Sequence, residues 1–385
     1  MRVGISNDNY PEKRTIKVDP NNEYVNFKYR NIYSYINFLT MRILKKKKVF
    51  VFKPLCSPGH QDVDIFHLFN DVAITDKKWL ATFETDTPRI LFEKKGRKYG
   101  PDYINHLKKL VPYLAADNCL ALIALSKAAL HMQQKLLLDN GDLSQAILKK
   151  TVVMHPPQKL HTTHRLPRDA QSPVHFVFIG NEFFRKGGGE VVQAFCELIE
   201  ESRLRSDQVK VTLIGDLKKT YNYALNEFQD DEAFSESTLA AIAKHDIFTH
   251  HSFMPNESVL ALFQEADIGL LPTWAETYGF SVLEMQSCGC PVITTNVRAL
   301  PEINPESVGW QVVNTLNDER DYEVRSEEEK LSLRQRNIEQ LKTIIMDVVA
   351  NPDQILEKAN AAIQRIKTEH DLTSYREKLR AIYNQ

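Results

Sequence analysis

Two glutamates with seven residues between them, Glu276 and Glu284, carry the clearest chemistry in the chain. They stand in residues 268–295, IGLLPTWAETYGFSVLEMQSCGCPVITT. An apolar run ends at Pro272, a loop carries Glu276, and Gly279 punctuates it; a helical segment holding Glu284 then stops at Cys288-Gly289 before the strand-like PVITT. The loop leaves the carboxyl end of one strand and feeds the amino end of a helix, where backbone N–H groups and the helix dipole favour an anion. A diphosphate fits there, against the amides of Gly279, Phe280 and Ser281, while the two carboxylates accept from sugar and ribose hydroxyls. A second constellation lies upstream: a strand ending at Gly180-Asn181, a short loop with Arg185 and Lys186, then three glycines opening a helix. Arginine takes phosphate oxygens in a fork and lysine adds a compact charge, so this loop reads as a diphosphate clamp facing the Glu276 loop. It lacks the G-x-G-x-x-G spacing of a dinucleotide fingerprint.

Alternating strands and helices must position these loops. Residues 2–6, 49–52, 64–69, 79–83, 119–125 and 151–154 read as strands in the first half, with helices over 29–44 and 127–138. Residues 155–173 hold four prolines and little apolar content, the composition of a linker. Beyond it strands at 175–180, 209–215 and 247–252 alternate with helices at 187–201, 236–244 and 258–265, and the tail, 327–349 and 352–385, reads as charged helix. Such alternation predicts α/β architecture with parallel sheets, in a domain over 1–165 and another over 171–366.

Glu276, seven residues, Glu284 and then Cys-Gly-Cys-Pro-Val-Ile-Thr-Thr resemble the signature of the retaining glycosyltransferases of family 4. The loop of Gly180, Arg185, Lys186 and Gly187 is similar to the second signature of that family. The resemblance implies the GT-B fold, two facing Rossmann-like domains with a final helix, about 367–385, crossing back onto the first. It implies a nucleoside-diphosphate sugar donor, a UDP-sugar first, and a glycan or lipid-linked glycan acceptor, with no metal and no further cofactor. Glu276 would then lie by the donor sugar, Glu284 would hold the ribose, and the loop near Phe253 would hold the nucleobase. Two positions depart from the family: Asn181 stands where many members have arginine, leaving Arg185 as the substitute in the manner of the lipopolysaccharide-core members. Glu84 stands where a strand-ending histidine is usual, and reads either as a hydroxyl acceptor or general base or as an ordinary strand-end carboxylate. The alternatives of other classes are a GT-B-fold subunit that binds nucleotide or a partner without catalysis, and an enzyme acting on the nucleotide sugar itself.

Composition bounds the rest. The 385 residues, 43% hydrophobic, suffice for two domains with their own cores. Five scattered cysteines without metal-ligand spacing predict reduced thiols in a cytosolic setting, with Cys288 and Cys290 as packing residues. The start MRVGISNDNY lacks the apolar core of a signal peptide, and no run approaches the ~18 apolar residues of a membrane span, so a cytoplasmic protein is expected. The net charge of -1 conceals a split, 28 Lys+Arg against 16 Asp+Glu in residues 1–170 and 21 against 34 thereafter. Lys45, Lys46, Lys47 and Lys48, with Lys94, Lys95, Arg97 and Lys98, read as solvated faces or, since the resembled family often uses lipid-linked acceptors, as docking on an anionic membrane leaflet; nucleic acid is a weaker candidate, for no binding motif accompanies the charge. Asp62-Val63-Asp64 has the spacing of a metal-binding D-x-D but leads directly into a buried strand, and His161 and His164 lack partners for zinc. His67 and Asp71 read as lining the cleft or, for His67 by preference, as a satisfied buried histidine.

Overall fold

The computed structural model describes residues 1–55, 63–91, 101–138 and 141–385. The chain divides into two compact units, Met1–Pro157 together with His370–Gln385, and Gln158–Glu369.

The first unit is built on a six-stranded parallel sheet ordered Glu23–Asn26, Arg2–Ile5, Ile65–Phe69, Trp79–Phe83, Cys119–Ala124 and Thr151–Val153. Ile65–Phe69 and Trp79–Phe83 are buried at every position, which is why they read as unbroken apolar runs rather than alternating ones. Phe27 and Phe52 pack on Phe66 with ring centroids 5.1 and 4.9 Å away. The helix Tyr10–Thr15 forms in the polar stretch before residue 23, which reads as irregular; Glu23–Asn26 adds a short edge strand that the sequence pattern does not assign, and the helix Pro101–Ala115 continues through Pro112.

Residues 370–385 complete this unit. The tail helix expected over 352–385 is broken into Asp353–Glu369 and Leu372–Tyr383, because Asp371 caps the second piece at Ser374 N and the buried His370 faces the Pro156 carbonyl at 2.8 Å. Leu372–Tyr383 is held by Tyr375, whose hydroxyl donates to the Thr15 carbonyl at 2.9 Å, and by Arg380, paired with Asp19 at 2.6 Å. Its last residue, Tyr383, meets His67: the Tyr383 hydroxyl lies 2.7 Å from Nδ1 and the Thr82 hydroxyl 2.8 Å from Nε2. His67 is thus the satisfied core histidine expected. Nearby, the buried Asp71 accepts from the Ser6 hydroxyl at 2.7 Å, and burial pushes its carboxyl pKa up.

In the second unit six parallel strands are ordered Phe248–His251, Val209–Asp216, Val174–Glu182, Ile268–Leu271, Val292–Thr295 and Trp310–Val312. By position along the chain this is third, second, first, fourth, fifth, sixth, so the winding direction reverses between Val174–Glu182 and Ile268–Leu271. Outside the carboxyl ends of those two strands an open α/β sheet offers its binding crevice. The proline-rich stretch divides at Pro157. His161 and Thr162 donate backbone N–H groups to the Ser287 carbonyl at 2.9 and 3.1 Å, and Arg165 caps the carbonyls of Gln264 and Ala266 at 2.6 and 2.8 Å, which fastens 158–165 to the second unit.

Cys56, Asp62, Lys94, Lys95, Arg97 and Lys98 lie outside the described residues, so neither the D-x-D reading nor the second basic cluster has a structural counterpart here. Among the described residues no helix is long and apolar enough to cross a membrane.

The His67 imidazole yields a prediction. Burial lowers its pKa from 6.5 to about 3, so the unfolded chain takes up a proton that the folded unit refuses. Its contribution is complete above 6.5 and is lost as pH falls from there toward about 3. Urea unfolding of the first unit will show a midpoint that declines across that window, and His67→Gln will lower the midpoint at neutral pH while flattening the decline. A slope unchanged by the substitution would assign the proton uptake to other groups.

Candidate functional site

Both loops singled out in the sequence emerge at the reversal point. After Val174–Glu182 the chain makes a tight turn, with Lys186 N on the Glu182 carbonyl at 3.0 Å and Gly188 N on the Phe183 carbonyl at 3.0 Å, and enters the helix Gly188–Glu200. Phe183 and Phe184 are buried and anchor the turn from below, Phe183 against Phe178 with centroids 5.1 Å apart. Gly187 has φ +86°, and any Cβ there would collide with the Pro272 carbonyl oxygen, so glycine is required both by conformation and by the approach of the neighbouring loop. After Ile268–Leu271 the second loop, 272–279, leads to Gly279 at φ +101° and the helix Phe280–Ser287.

Backbone bonds join the two loops. Trp274 N donates to the Arg185 carbonyl at 3.0 Å, and the Thr273 hydroxyl reaches the same carbonyl at 3.3 Å. The Thr273 carbonyl in turn accepts from the Thr295 hydroxyl at 2.8 Å. Beneath them sits a buried polar cluster. Glu190, in the first turn of Gly188–Glu200, accepts on one carboxylate oxygen from the Trp274 indole N–H and from Arg334 Nε, both at 2.9 Å. One terminal nitrogen of Arg334, Nη2, also donates to both carboxylate oxygens of Asp230, at 2.8 and 2.7 Å, and the guanidinium stacks 3.9 Å above the Phe234 ring. The indole thus fixes one loop to the helix that follows the other.

On this scaffold Lys186 and Glu276 form an ion pair, with side-chain exposures of 16% and 13%. Glu276 also accepts from Thr277 N at 3.0 Å, which orients the carboxylate. Arg185 is buried: its guanidinium donates to the Ala275 carbonyl and to Glu182, lies 5.0 Å from the Tyr223 ring centroid, and keeps an Nε–H without a hydrogen-bond partner. That contact, first of all, holds the Glu182 carboxyl below its ordinary range. Gly279, Phe280 and Ser281 form the start of the helix, and Glu284, half-buried, lies in its second turn. Arg185, Lys186, Glu276 and Gly279 are therefore brought into one locus, as their spacing suggests. Asn181 is exposed at the end of its strand, and Phe253, after Phe248–His251, is 80% exposed. Glu84 belongs to the first unit, where it is paired with Arg89 at 2.6 Å and accepts from Asn70 Nδ2 at 3.3 Å.

Other participants were not read from the sequence. Trp274 sits inside the glutamate stretch without announcing a role; Glu190 and Arg334 are 144 positions apart, and Tyr223 comes from a polar loop. Arg298, half-buried and forked onto Asp321 at 2.6 Å, borders the same region. The thiols of Cys288 and Cys290 are buried and free, and burial pushes Cys288 up to about 11, as suits packing residues.

A lysine beside a carboxylate at the head of a helix can bind a phosphate and orient a hydroxyl-bearing group next to it. Residues 173–322 match the family described as Glycosyl transferases group 1. The D-inositol 3-phosphate glycosyltransferase of Arthrobacter sp. is 29% identical over 126 residues, which are 33% of this chain and 27% of that relative, so the match spans about a quarter of the relative's length. Anabaena HepE, solved in complex with UDP and glucose, superposes with a TM-score of 0.56 at 13% identity over 99% of this chain and 90% of that one. WaaG, a glycosyltransferase involved in lipopolysaccharide biosynthesis, gives 0.56 at 14% identity over 98% of both chains. These likenesses place the fold in the GT-B class.

Removing Arg334 leaves the carboxylate of Glu190 buried without its cation. Arg334→Met is expected to destabilise the second unit by ~3–5 kcal/mol, and Glu190→Gln added to it to return part of that loss, both read from urea unfolding. A single-variant loss below ~1 kcal/mol would show that the cluster does not hold the loops.

Proposed function

We propose that this chain, whose residues 173–322 are a glycosyl transferases group 1 domain, is a hexosyltransferase that moves a sugar from a nucleoside-diphosphate donor to a hydroxyl with retention at the anomeric carbon. The observation that carries the reading is the Lys186–Glu276 pair beside the glycine-headed helix at the point where the sheet reverses. A donor diphosphate draws Lys186 from Glu276 to its own oxygens, and the released carboxylate takes up a sugar hydroxyl. One event so prepares both ends of the donor. Lys186, the Arg185 guanidinium and the amides of Gly279, Phe280 and Ser281 stabilise the charge that grows as the bond from the anomeric carbon to phosphate breaks. The acceptor oxygen then bonds to the anomeric carbon on the face the phosphate leaves, and its proton passes to the departing phosphate oxygen. Glu276 positions the sugar and Glu284 holds the ribose. No metal or further cofactor is part of this reading.

A UDP-sugar is the donor proposed first, in keeping with the UDP and glucose bound by Anabaena HepE. The acceptor is a glycan or lipid-linked glycan, recognised by the first unit in the cytoplasm, with peripheral contact to an anionic membrane. The second reading, a GT-B-fold subunit that binds nucleotide or a partner without transfer, draws on Glu84, which the ion pair with Arg89 ties away from a base's role.

Nucleoside-diphosphate release and the thermal midpoint, measured together across UDP-, GDP- and ADP-sugars, separate the two. A donor at ~100 times its Kd stabilises by ~2.7 kcal/mol, so a shift with slow release for one donor supports transfer, and a shift without turnover with any acceptor supports the binding subunit. Lys186→Ala is expected to lower turnover at least about tenfold, ~1.4 kcal/mol in the barrier, and Glu284→Ala to weaken donor binding. Wild-type kinetics in both would overturn the site.

A further inference from the structure

The helix Ile32–Ile43 in the first unit is built inside out. Among the α-helices of the described residues it alone buries no side chain. Tyr35, Ile36, Phe38, Leu39 and Ile43 fall on one face at helical spacing, and that face is the exposed one: Phe38 is 57%, Leu39 53% and Ile43 69% exposed. Polar residues attach the opposite face to the protein. Asn37 donates to the Val49 carbonyl at 2.9 Å and accepts from Val49 N at 2.8 Å; Asn31, the N-cap, accepts from Lys53 N at 3.0 Å, and Ile32 N donates to the Lys53 carbonyl at 2.9 Å. A helix fastened by amides with most of its apolar stripe outward has spent little hydrophobic burial on its own fold, with Ile32 and Tyr33 only half-buried, and an exposed stripe of this kind marks an interaction surface.

Its flank says what covers it. Lys45, Lys46 and Lys47 follow directly, all exposed, with the half-buried Lys48, and Arg42 lies over the Phe38 ring at 5.4 Å. A second copy of the chain meeting this face about a two-fold axis would bring two such cation clusters together, whereas an anionic bilayer accepts the apolar stripe into its acyl boundary and the lysines among its headgroups. We propose that Ile32–Ile43 and the four lysines after it are the surface by which the protein lies on an anionic lipid membrane. This deepens the reading of a lipid-linked acceptor by naming the contact, and its test needs neither donor nor acceptor.

The full chain is sedimented with vesicles of phosphatidylcholine alone and of phosphatidylcholine mixed with phosphatidylglycerol. It should bind the mixed vesicles, and each well-placed lysine should contribute about fivefold to partitioning. Phe38→Ser with Leu39→Ser should lower the partition coefficient by at least about tenfold through lost apolar insertion. Exchanging Lys45, Lys46, Lys47 and Lys48 for Gln should lower it and remove its dependence on salt. Both sets alter exposed or half-exposed side chains and should leave the thermal midpoint and donor turnover in solution unchanged. Absence of binding to mixed vesicles, or equal binding by wild type and both variants, would overturn the proposal. So would a change from dimer to monomer in Phe38→Ser/Leu39→Ser without vesicle binding, which would assign the face to a second copy. Donor turnover without vesicle binding would sink this surface and leave the transferase reading standing.

Discussion

The geometry of the second unit depends on one indole. Trp274 donates its backbone N–H to the carbonyl of Arg185 and its ring N–H to Glu190, so a single buried residue spans the loop after the first strand, the loop after the fourth and the helix between them. A carboxylate buried to that degree is costly unless it is neutralised, and Arg334 meets the demand from the far side while stacking on Phe234 and Trp274. Lys186 and Glu276 inherit their positions from this framework. Both leave fixed backbone: Lys186 precedes a glycine pressed on Pro272, and Glu276 follows a residue whose carbonyl Arg185 holds. The loops are therefore preorganised by burial rather than by length, which is what electrostatic stabilisation of a developing charge requires.

How much of this could be read in advance follows from what the chain writes locally. Strands buried on both faces, such as Ile268–Leu271, stand out as short apolar runs bounded by Pro and Gly, and the two loops between strand and helix could be placed nearly to the residue. Of the edge strands, Thr151–Val153 and Phe248–His251 could be read as well, but the three-residue Trp310–Val312 could not, nor could Glu23–Asn26, which is only half covered and whose polar ends look like loop. The helix Glu327–Ala350 was legible as helix but not as core: its buried stripe includes Lys330, Arg334 and Lys342, whose charges hide the periodicity of Leu333, Ile338, Leu341 and Ile345. Partners far apart in sequence leave no local trace, as with Glu190 and Arg334 or His67 and Tyr383. Periodicity also says nothing of direction. Ile32, Tyr35, Ile36, Leu39 and Ile43 predict a helix correctly, and only the structure reveals that most of that stripe faces outward.

The two units share an architecture and use their carboxylates differently. In the second, Glu276 is partly exposed and paired with the ammonium of Lys186, a pairing that an incoming anion can exchange. In the first, Asp71 is sealed against Ser6 and Glu84 is clamped by Arg89, so the carboxyl edge of that sheet presents charges already satisfied.

The first unit is written in two pieces, Met1–Pro157 and His370–Gln385, with the whole of the second unit between them. During synthesis from the amino end, the second unit has all its residues before Tyr375, Arg380 and Tyr383 exist. For that interval the Asp19 carboxylate lacks its arginine and His67 lacks the phenol at its Nδ1. The order of completion on the ribosome is thus the reverse of the order of the amino ends: the unit begun first is closed last, and a nascent chain passes through a state in which the second unit is whole while the first still lacks the helix Leu372–Tyr383.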